Sequence, residues 1–472
     1  MQWSRVPQPR WLHRVGVRSP IGSIDDAPRP RKSHETMATV AVFVPTSPGH
    51  LNPMGSLARE LVHRGHRVVF LSVVESADTI RKMGVEVVTV GARDFPVGKI
   101  QEFHDALGHL KGLKALRYTL HYLSDYTKML MRDAPAALTE MGAELVLVDQ
   151  ATPAGGAVAD HLQLPFVTVS NALLFNLDMR VPAPITAISS VKSPISWLRS
   201  FAAYLLMNKV TKPIRKVVND QRVIWGLPTN ALPDNAYSKL AQISQQPREF
   251  EFAPRVLPPH FHFAGPFQDP QVRAPVAFPF AKLDGRPLIY ASLGTLQNRM
   301  LWIFRAIAEA CAGLDVQLVI SLGGSAEPES LGPLAGNPIV VKSAPQLELL
   351  DRARLTITHA GLNTALESLA RGVPMVAIPI TNDQPGVAGR IAWTGTGVVI
   401  PPARLTVTRL KAAVQRVLSE PSFAENAARL REAIARTQGV VRAADIIEKV
   451  LETRQPVLAE FSHPTALPSQ TQ

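Results

Sequence analysis

The chain has 472 residues, which is too long for one ordinary hydrophobic core, so about two domains are expected. Hydrophobic residues make up 46% and charged residues 19%, as in ordinary globular proteins. The apolar runs are shorter than the roughly 18 residues that cross a bilayer, so no transmembrane helix is expected. The single cysteine, Cys311, excludes an internal disulfide and is expected to be a buried structural thiol in a helix. This cysteine content fits the cytoplasm.

The formal net charge of +12 suggests nucleic-acid binding, but the distribution of the charges argues against it. Residues 1–36 supply +4, because seven Arg or Lys side chains stand against three acidic ones. The other charges are spread out and no recognition motif is found, so no nucleic-acid partner is predicted. The leader at 1–36 lacks the apolar core of a signal peptide and is predicted to be a disordered tail or a misplaced start before Met37.

From Met37 the chain alternates between short apolar strands and amphipathic helices. The first strand, at 39–45, contains "TVAVFVP"; a turn "TSPGHLNP" follows, and then a helix that ends at Gly65. Further strands are expected at 66–72, 84–90, 143–149 and 164–170. Strands separated by helices predict parallel βαβ units. The first turn lacks Gly-x-Gly-x-x-Gly, so the dinucleotide fingerprint is absent.

A break at 263–287, rich in proline and poor in periodicity, predicts a linker between two domains. The alternation then restarts and continues to residue 456. We therefore predict an α/β protein with two Rossmann-like doubly wound domains, 37–262 and 288–456, facing a cleft. In such sheets ligands bind beyond the carboxyl ends of the strands. The tail at 457–472 is rich in Pro, Ser, Thr and Gln and is predicted to be disordered.

Turns at the carboxyl ends of the second set of strands carry the candidate binding residues. Four of them are found, at 292–295, 344–350, 359–364 and 379–384. Gly294, Gly361, Asn363 and Thr364 offer little bulk, exposed backbone N–H groups and a helix N-terminus, which together suit a phosphate. His359 would donate a further hydrogen bond to a diphosphate. A structural role competes, because Thr-x-x-Glu at 364–367 has capping-box spacing and a histidine after a strand is commonly a packed or capping residue.

The order of these motifs identifies a family resemblance. Residues 344–384, "APQLELLDRARLTITHAGLNTALESLARGVPMVAIPITNDQ", resemble the donor-binding signature of the family 1 glycosyltransferases, which have the GT-B fold and use nucleotide-activated sugars. The resemblance extends over residues 38–455, and within the family residues 145–176 are most similar to the bacterial zeaxanthin and macrolide glucosyltransferase branch. It implies that Gln346 and Glu367 bind the ribose and that Asp383 and Gln384 hold sugar hydroxyls. It also implies that the pyrophosphate is bound by His359 with the backbone around Gly361, Asn363 and Thr364, and that Thr295 lies near the phosphates. Many members have a base-stacking Trp where this chain has Ser343, so uridine and thymidine both stay open.

The first half supplies the candidate catalytic pair. "PTSPGHLNP" resembles the catalytic loop of the family, with His50 at the base position, and Asp149 matches the carboxylate that pairs with it. An acceptor hydroxyl must lose a proton as it attacks the anomeric carbon, and a histidine oriented by a carboxylate is suited to take it. The competing interpretation is that His50 is a loop-surface histidine.

No Asp-x-Asp occurs in the sequence, so the usual metal ligands for a diphosphate are missing. We expect metal independence, with the helix N-terminus and His359 compensating the charge. The implied reaction is a direct displacement with inversion, which moves a hexose, with glucose and UDP as first candidates, to a small lipophilic natural product. The nucleotide sugar is a co-substrate, and no cofactor is expected.

The sequence indicates less clearly which residues bind the acceptor. Residues 99–142 are predicted helices in which His104, His109 and His121 either line an acceptor pocket or lie on solvated faces, the second being commoner. Residues 192–225 interleave apolar and basic positions, which suits an interfacial helix on anionic lipid or, as we slightly prefer, helices over the core with a solvated basic face.

Two alternatives to a transferase remain. One is a nucleotide-sugar epimerase of the same architecture, and the other is a non-catalytic transferase-like partner protein. The presence of His50, Asp149, Asp383 and Gln384 together argues against the second.

Overall fold

The computed structural model describes residues 37–109, 112–273, 275–295, 300–324 and 326–459. The predicted leader at 1–36 and the tail from residue 460 lie outside these ranges. Two parallel sheets with helices on both faces make up the described part of the chain, so the predicted fold class is confirmed. None of the helices in these ranges is long and apolar enough to cross a membrane.

The strands are short and buried. They are β1 (Thr39–Phe43), β2 (Arg67–Ser72), β3 (Glu86–Thr89), β4 (Leu145–Asp149), β5 (Phe166–Ser170), β6 (Gln242–Ser244), β7 (Phe261–Phe263), β8 (Leu288–Ser292), β9 (Gln317–Ser321), β10 (Ile339–Val341), β11 (Ala353–Thr358), β12 (Met375–Ala377) and β13 (Gly397–Val399). The first sheet has the order β3-β2-β1-β4-β5-β6-β7 and the second β10-β9-β8-β11-β12-β13. Continuous apolar runs such as "LVLVD" in β4 form these strands because both faces of a parallel sheet are covered.

Helices cover both faces of each sheet. They are α1 (Pro48–His63), α2 (Val74–Lys82), α3 (Lys99–His109), α4 (Gly112–Glu140), α5 (Pro153–His161), α6 (Pro194–Ile224), α7 (Leu301–Cys311), α8 (Gln346–Leu350), α9 (Leu362–Ala370), α10 (Gln384–Trp393), α11 (Val407–Ser419), α12 (Pro421–Arg436) and α13 (Val440–Thr453). In the first domain α1 packs on one face of the sheet, and α4 and α5 pack on the other. In the second domain α7 and α11 share one core, and α9, α10 and α12 share the opposite one.

Helix α1 begins earlier than the sequence suggested. The stretch predicted as a turn before residue 54 is helical from Pro48 onward, because proline at the first helical position has a suitable φ and lacks only an N–H that would be unpaired there. His50 therefore lies in the first turn of α1 rather than in a loop. Pro53, inside the helix, has no N–H for the Gly49 carbonyl, which instead accepts a hydrogen bond of 2.9 Å from Asn363 Nδ2.

The end of the chain returns to the first domain. Helix α13, which the sequence placed in the second domain, packs against α1 through Ala443, Ile447 and Val450 in the core of the first sheet. Part of the predicted tail is also ordered there, since Val457 and Ala459 hydrogen-bond through their backbones to segments beside β6 and β7. The predicted second domain, 288–456, therefore includes a helix that packs in the first domain, because the apolar face of α13 completes the core of the first sheet.

Candidate active site

The candidate catalytic residues meet at the carboxyl edge of the first sheet. Strands β1 and β4 are neighbours, with Phe43 opposite Val148. The helix after β1 carries His50 in its first turn, and β4 ends at Asp149. The strand order thus brings together two side chains that are 99 positions apart in sequence.

His50 and Asp149 are hydrogen-bonded, with 2.8 Å between His50 Nδ1 and Asp149 Oδ2. The same carboxylate oxygen accepts from Asn171 Nδ2 at 2.8 Å, and Oδ1 accepts from the Ala151 backbone N–H at 2.8 Å. Asp149 is 1% exposed, so these donors hold a buried carboxylate in one orientation. His50 is therefore not a free surface histidine. Among the described residues no protein group bonds its Nε2, which leaves that nitrogen for an acceptor hydroxyl.

The charge of His50 is governed by its two acidic neighbours. Burial lowers the pKa of His50, but the Asp149 carboxylate, through its charge and its hydrogen bond, and the more distant Asp383 outweigh burial and raise that pKa above its usual value. Burial in turn raises the pKa of Asp383, against the effects of a backbone hydrogen bond from Leu173 and of His50. Asp383 belongs to the second domain, so both domains contribute to the electrostatics around His50.

The turns of the second domain lie side by side because β8, β11 and β12 are adjacent strands. The His359 ring stands between two glycines: a Cβ on Gly294 or on Gly361 would lie 2.6 Å from ring atoms of His359. Gly294 also has a φ of +74°, which favours glycine. Any larger residue at either position would displace the imidazole from the edge of the sheet.

His359 is a neutral ring in this site. Burial lowers its pKa to about 4, in spite of a hydrogen bond with the Ser292 backbone. A neutral imidazole brings a hydrogen-bond donor to this site, and the part of His359 in compensating the charge of a diphosphate stays a prediction. The N-terminus of α9, which begins at Leu362 after Gly361, is the group that carries a partial positive charge here.

Asn363 and Thr364 lie in the first turn of α9, but the side chain of Asn363 contacts the first domain. Its Nδ2 donates to the Gly49 carbonyl at 2.9 Å, and its Oδ1 accepts from Gln245 Nε2 at 2.8 Å. The capping box does not form: Gly361 is the N-cap residue, and the Glu367 carboxylate bonds other side chains. The capping-box alternative for Thr364 and Glu367 is thereby wrong.

Gln346 and Glu367, the ribose ligands that the resemblance implies, are hydrogen-bonded to each other. Gln346 Nε2 donates to Glu367 Oε2 at 2.6 Å, and Tyr290 donates its hydroxyl to Gln346 Oε1 at 3.1 Å. Arg273 from the linker completes the cluster by donating both terminal guanidinium nitrogens to the Glu367 carboxylate. Sequence reasoning missed Arg273 and Tyr290, because neither carries a local motif.

The remaining predicted donor residues lie at the same edge. Asp383 Oδ2 accepts from the Leu173 backbone N–H at 3.3 Å, so it faces the first domain across the cleft. Gln384 Oε1 accepts from the backbone N–H groups of Ile380 and Thr381, at 2.8 and 2.9 Å, so the oxygen of this side chain is bonded within its own turn. Thr295 is exposed at the end of the turn after β8.

Other candidates from the sequence lie apart from this site. His121 is exposed and pairs with Asp125 on α4, and the side chains of His104 and His109 lie outside the described part of the structure. Cys311 is buried, as predicted, and burial raises its pKa to about 12. Among the side chains that the structure describes, no group of three His, Cys, Asp or Glu residues is arranged to hold a metal ion.

Comparison with known proteins decides the class of this site. A sequence model of the family described as "UDP-glucoronosyl and UDP-glucosyl transferase" matches residues 39–440, which is most of the chain. The chain belongs to this family. It is therefore a glycosyltransferase. This membership argues against the two alternatives, a nucleotide-sugar epimerase and a non-catalytic partner protein.

The individual relatives and solved structures that resemble this glycosyltransferase are glycosyltransferases as well. A zeaxanthin glucosyltransferase of Pantoea ananas is 32% identical over 434 residues, covering 91% of this chain and 100% of the relative. A demethyllactenocin mycarosyltransferase of Streptomyces fradiae is 29% identical, covering 92% and 90%. Among solved structures, the glycosyltransferase of kitacinnamycin has a TM-score of 0.67 at 25% identity, covering 88% and 98%. The calicheamicin glycosyltransferase CalG4 has a TM-score of 0.68 at 24% identity, covering 89% and 100%, which supports the GT-B fold.

Proposed function

We propose that this glycosyltransferase moves a hexose, with glucose as the first candidate, from a UDP sugar to a hydroxyl of a small lipophilic natural product, with inversion and without a metal. The observation that carries the proposal is the 2.8 Å hydrogen bond between His50 Nδ1 and the buried Asp149 carboxylate, with Asp383 of the second domain close enough to raise the pKa of His50. A base oriented in this way faces a second domain whose turns suit a nucleotide sugar.

In the proposed reaction His50 Nε2 takes the proton of the acceptor hydroxyl while that oxygen attacks the anomeric carbon. The bond between the anomeric carbon and the phosphate oxygen breaks, and the nucleoside diphosphate leaves with the bonding electron pair. Asp149 keeps the proton of the neutral ring on Nδ1 and stabilises the imidazolium that forms. A single displacement inverts the configuration at the anomeric carbon.

The donor would be held at the turns of the second domain. The N-terminus of α9 offers its partial positive charge and free N–H groups to the diphosphate, and neutral His359 donates one hydrogen bond. This arrangement supports transfer without a metal. Asp383 and the amide nitrogen of Gln384 would hold the sugar hydroxyls, and Gln346 and Glu367 the ribose.

The lipophilic acceptor is inferred from two relatives and from one surface. The relatives are named for glycosylation of zeaxanthin and of demethyllactenocin, both natural products. The outward side of α6, here called the α6 outer face, is apolar in its first half and basic in its second: Ile195, Leu198, Ala202, Leu205, Lys209, Lys212 and Lys216, spaced alternately by three and four residues, are all exposed. We propose further that the α6 outer face binds an anionic bilayer. This contact would bring the enzyme to an acceptor dissolved in the membrane.

The proposal is tested by incubating the protein in EDTA with UDP-glucose or TDP-glucose and hydroxylated acceptors that cover carotenoids, macrolides, flavonoids and sterols. Mass spectrometry of the products should show an acceptor heavier by one hexose, together with stoichiometric nucleoside diphosphate. Release of nucleotide without a glycosylated product from any acceptor would contradict the proposed transfer, and activity that requires added Mg²⁺ would contradict its metal independence.

A further inference from the structure

The carboxylate of Glu367 is almost fully occupied by protein donors. Glu367 is 2% exposed and lies in α9. Its Oε2 accepts from Gln346 Nε2 at 2.6 Å and from Arg273 Nη1 at 3.2 Å, while its Oε1 accepts from Arg273 Nη2. A carboxylate offers about four acceptor positions, so these three bonds leave about one, on Oε1.

Arg273 is held at this position by the linker. The preceding residues are fixed to helix α1 of the first domain: Asp269 Oδ2 accepts from Arg59 Nε at 2.7 Å, and Gln271 accepts from the same guanidinium. Val272 is buried in the core of the first sheet. Arg273 therefore extends from a fixed backbone toward Glu367, and both residues line one cavity between the domains.

Ribose and 2′-deoxyribose differ in the number of hydroxyls that can donate a hydrogen bond to Glu367. A ribose presents two neighbouring hydroxyls that a free carboxylate accepts as a pair, whereas a 2′-deoxyribose presents only the 3′-hydroxyl. With Arg273 in place, Glu367 has room for one hydroxyl, so the 2′-hydroxyl gains no additional bond. We propose that Arg273 is a specificity-determining residue. It makes the donor site bind 2′-deoxyribonucleoside diphosphates and ribonucleoside diphosphates with nearly equal affinity. This inference rests on the proposed function, in which Glu367 binds the donor ribose.

The test compares two nucleotides that differ only in the 2′-hydroxyl. Isothermal titration calorimetry in EDTA would measure the Kd of UDP and of 2′-deoxy-UDP for the wild-type protein, for Arg273→Met, and for Arg273→Lys, which keeps one cationic donor. Arg286→Met is the matched control, since Arg286 is an exposed arginine near the end of the linker that pairs with Asp284. The thermal unfolding midpoint of each variant shows whether it is folded.

We expect the wild-type protein and Arg286→Met to bind the two nucleotides within about threefold of each other. In Arg273→Met the freed acceptor positions bond the 2′-hydroxyl, so UDP should be preferred by about tenfold, as expected for a hydrogen bond to a charged group. Arg273→Lys should lie between them. A wild-type preference for UDP of about tenfold, or an unchanged ratio in folded Arg273 variants, would overturn the role of Arg273. Failure of the wild-type protein to bind either nucleotide would instead overturn the proposed function.

Discussion

At the scale of single residues, the site depends on how Asp149 is held. A carboxylate that is buried and bonded by Asn171, Ala151 and His50 keeps the imidazole in one orientation. The sequence could supply His50 and Asp149 because each follows a strand and matches a family motif. It could not supply Asn171, Arg273 or Tyr290, because their roles arise from contacts between distant segments. The neutral state of His359 was also beyond the sequence, because it results from burial.

The first prediction concerns the pH dependence of transfer. Because the pKa of His50 is raised, kcat/KM should fall as the pH drops through a value above 6.5, where the base becomes protonated. Asp149→Asn removes the charge that raises this pKa, so the acid limb should move to lower pH while the maximal rate falls by about 100-fold or more. The measurement is kcat/KM from pH 5 to 9. Asp78→Asn, at an exposed carboxylate on α2, is the control, and an acid limb that stays in place in Asp149→Asn would refute the coupling.

At the scale of elements, the strand-to-helix turn between β11 and α9 is tightly packed around His359. The sequence predicted the turn, because an apolar strand followed by His-x-Gly-x-Asn is a strong local pattern. It did not predict the start of α1, since Pro48 and Gly49 looked like turn residues. Helix α13 was assigned to the wrong core because its apolar face, read alone, does not say which sheet it covers.

The second prediction uses this packing. In Gly361→Ala the new Cβ would lie 2.6 Å from His359 Nε2, so the ring must move away from the N-terminus of α9. Overpacking of this kind typically costs about 1–3 kcal/mol, and we expect the affinity for UDP to fall by about tenfold. Calorimetric titration with UDP measures it. Gly49→Ala, where a Cβ meets no atom within 4 Å, should bind UDP like the wild type, and equal Kd values for all three proteins would count against a role of His359 in the donor site.

The third prediction concerns the α6 outer face. Its apolar residues Leu198 and Leu205 are 59% and 52% exposed, beside a run of lysines. The wild-type protein should float with vesicles that contain phosphatidylglycerol, less so at high salt, and hardly with phosphatidylcholine alone. The double variant Leu198→Glu, Leu205→Glu should lose this binding.

The control for vesicle binding is Leu418→Glu, at an exposed leucine on α11. Flotation of the double variant as efficient as that of the wild type, or no flotation of the wild type at any lipid composition, would show that the face is only solvated.

At the scale of the whole molecule, the two domains are joined by buried contacts as well as by the linker. Arg390 on α10 is 0% exposed and donates to Glu251, which follows β6 in the first domain, at 2.5 Å. Gly386 and Gly389 on the same helix let the backbone at 184–188 approach closely, with the Pro184 carbonyl where a Cβ would lie. The sequence predicted two sheets and a cleft from the alternation of strands and helices, but not this contact, which requires the three-dimensional arrangement.

The fourth prediction follows from this pair. Arg390→Met leaves Glu251 as a buried carboxylate with Arg255 as its remaining cationic partner, beside hydrogen bonds from Gln246 Nε2 and the Phe252 backbone N–H. The free energy of unfolding should therefore fall by about 3–5 kcal/mol. Urea denaturation followed by circular dichroism measures the change. Arg436→Met removes an exposed, 3.9 Å pair with Glu249 and should change the free energy by less than about 0.5 kcal/mol. Equal stability of the two variants would mean that the buried pair does not hold the domains together.

The role of His50 as the base is tested by comparing His50→Ala with His63→Ala, at an exposed histidine in the last turn of the same helix. Hexose transfer to the best acceptor and UDP affinity would be measured for both variants in EDTA. We expect the rate of transfer by His50→Ala to fall by about 10²–10⁴-fold, as for loss of a general base, while the variant binds UDP like the wild type. His63→Ala should keep the wild-type rate of transfer and the wild-type affinity for UDP. Transfer by His50→Ala at the wild-type rate would show that His50 is not the general base.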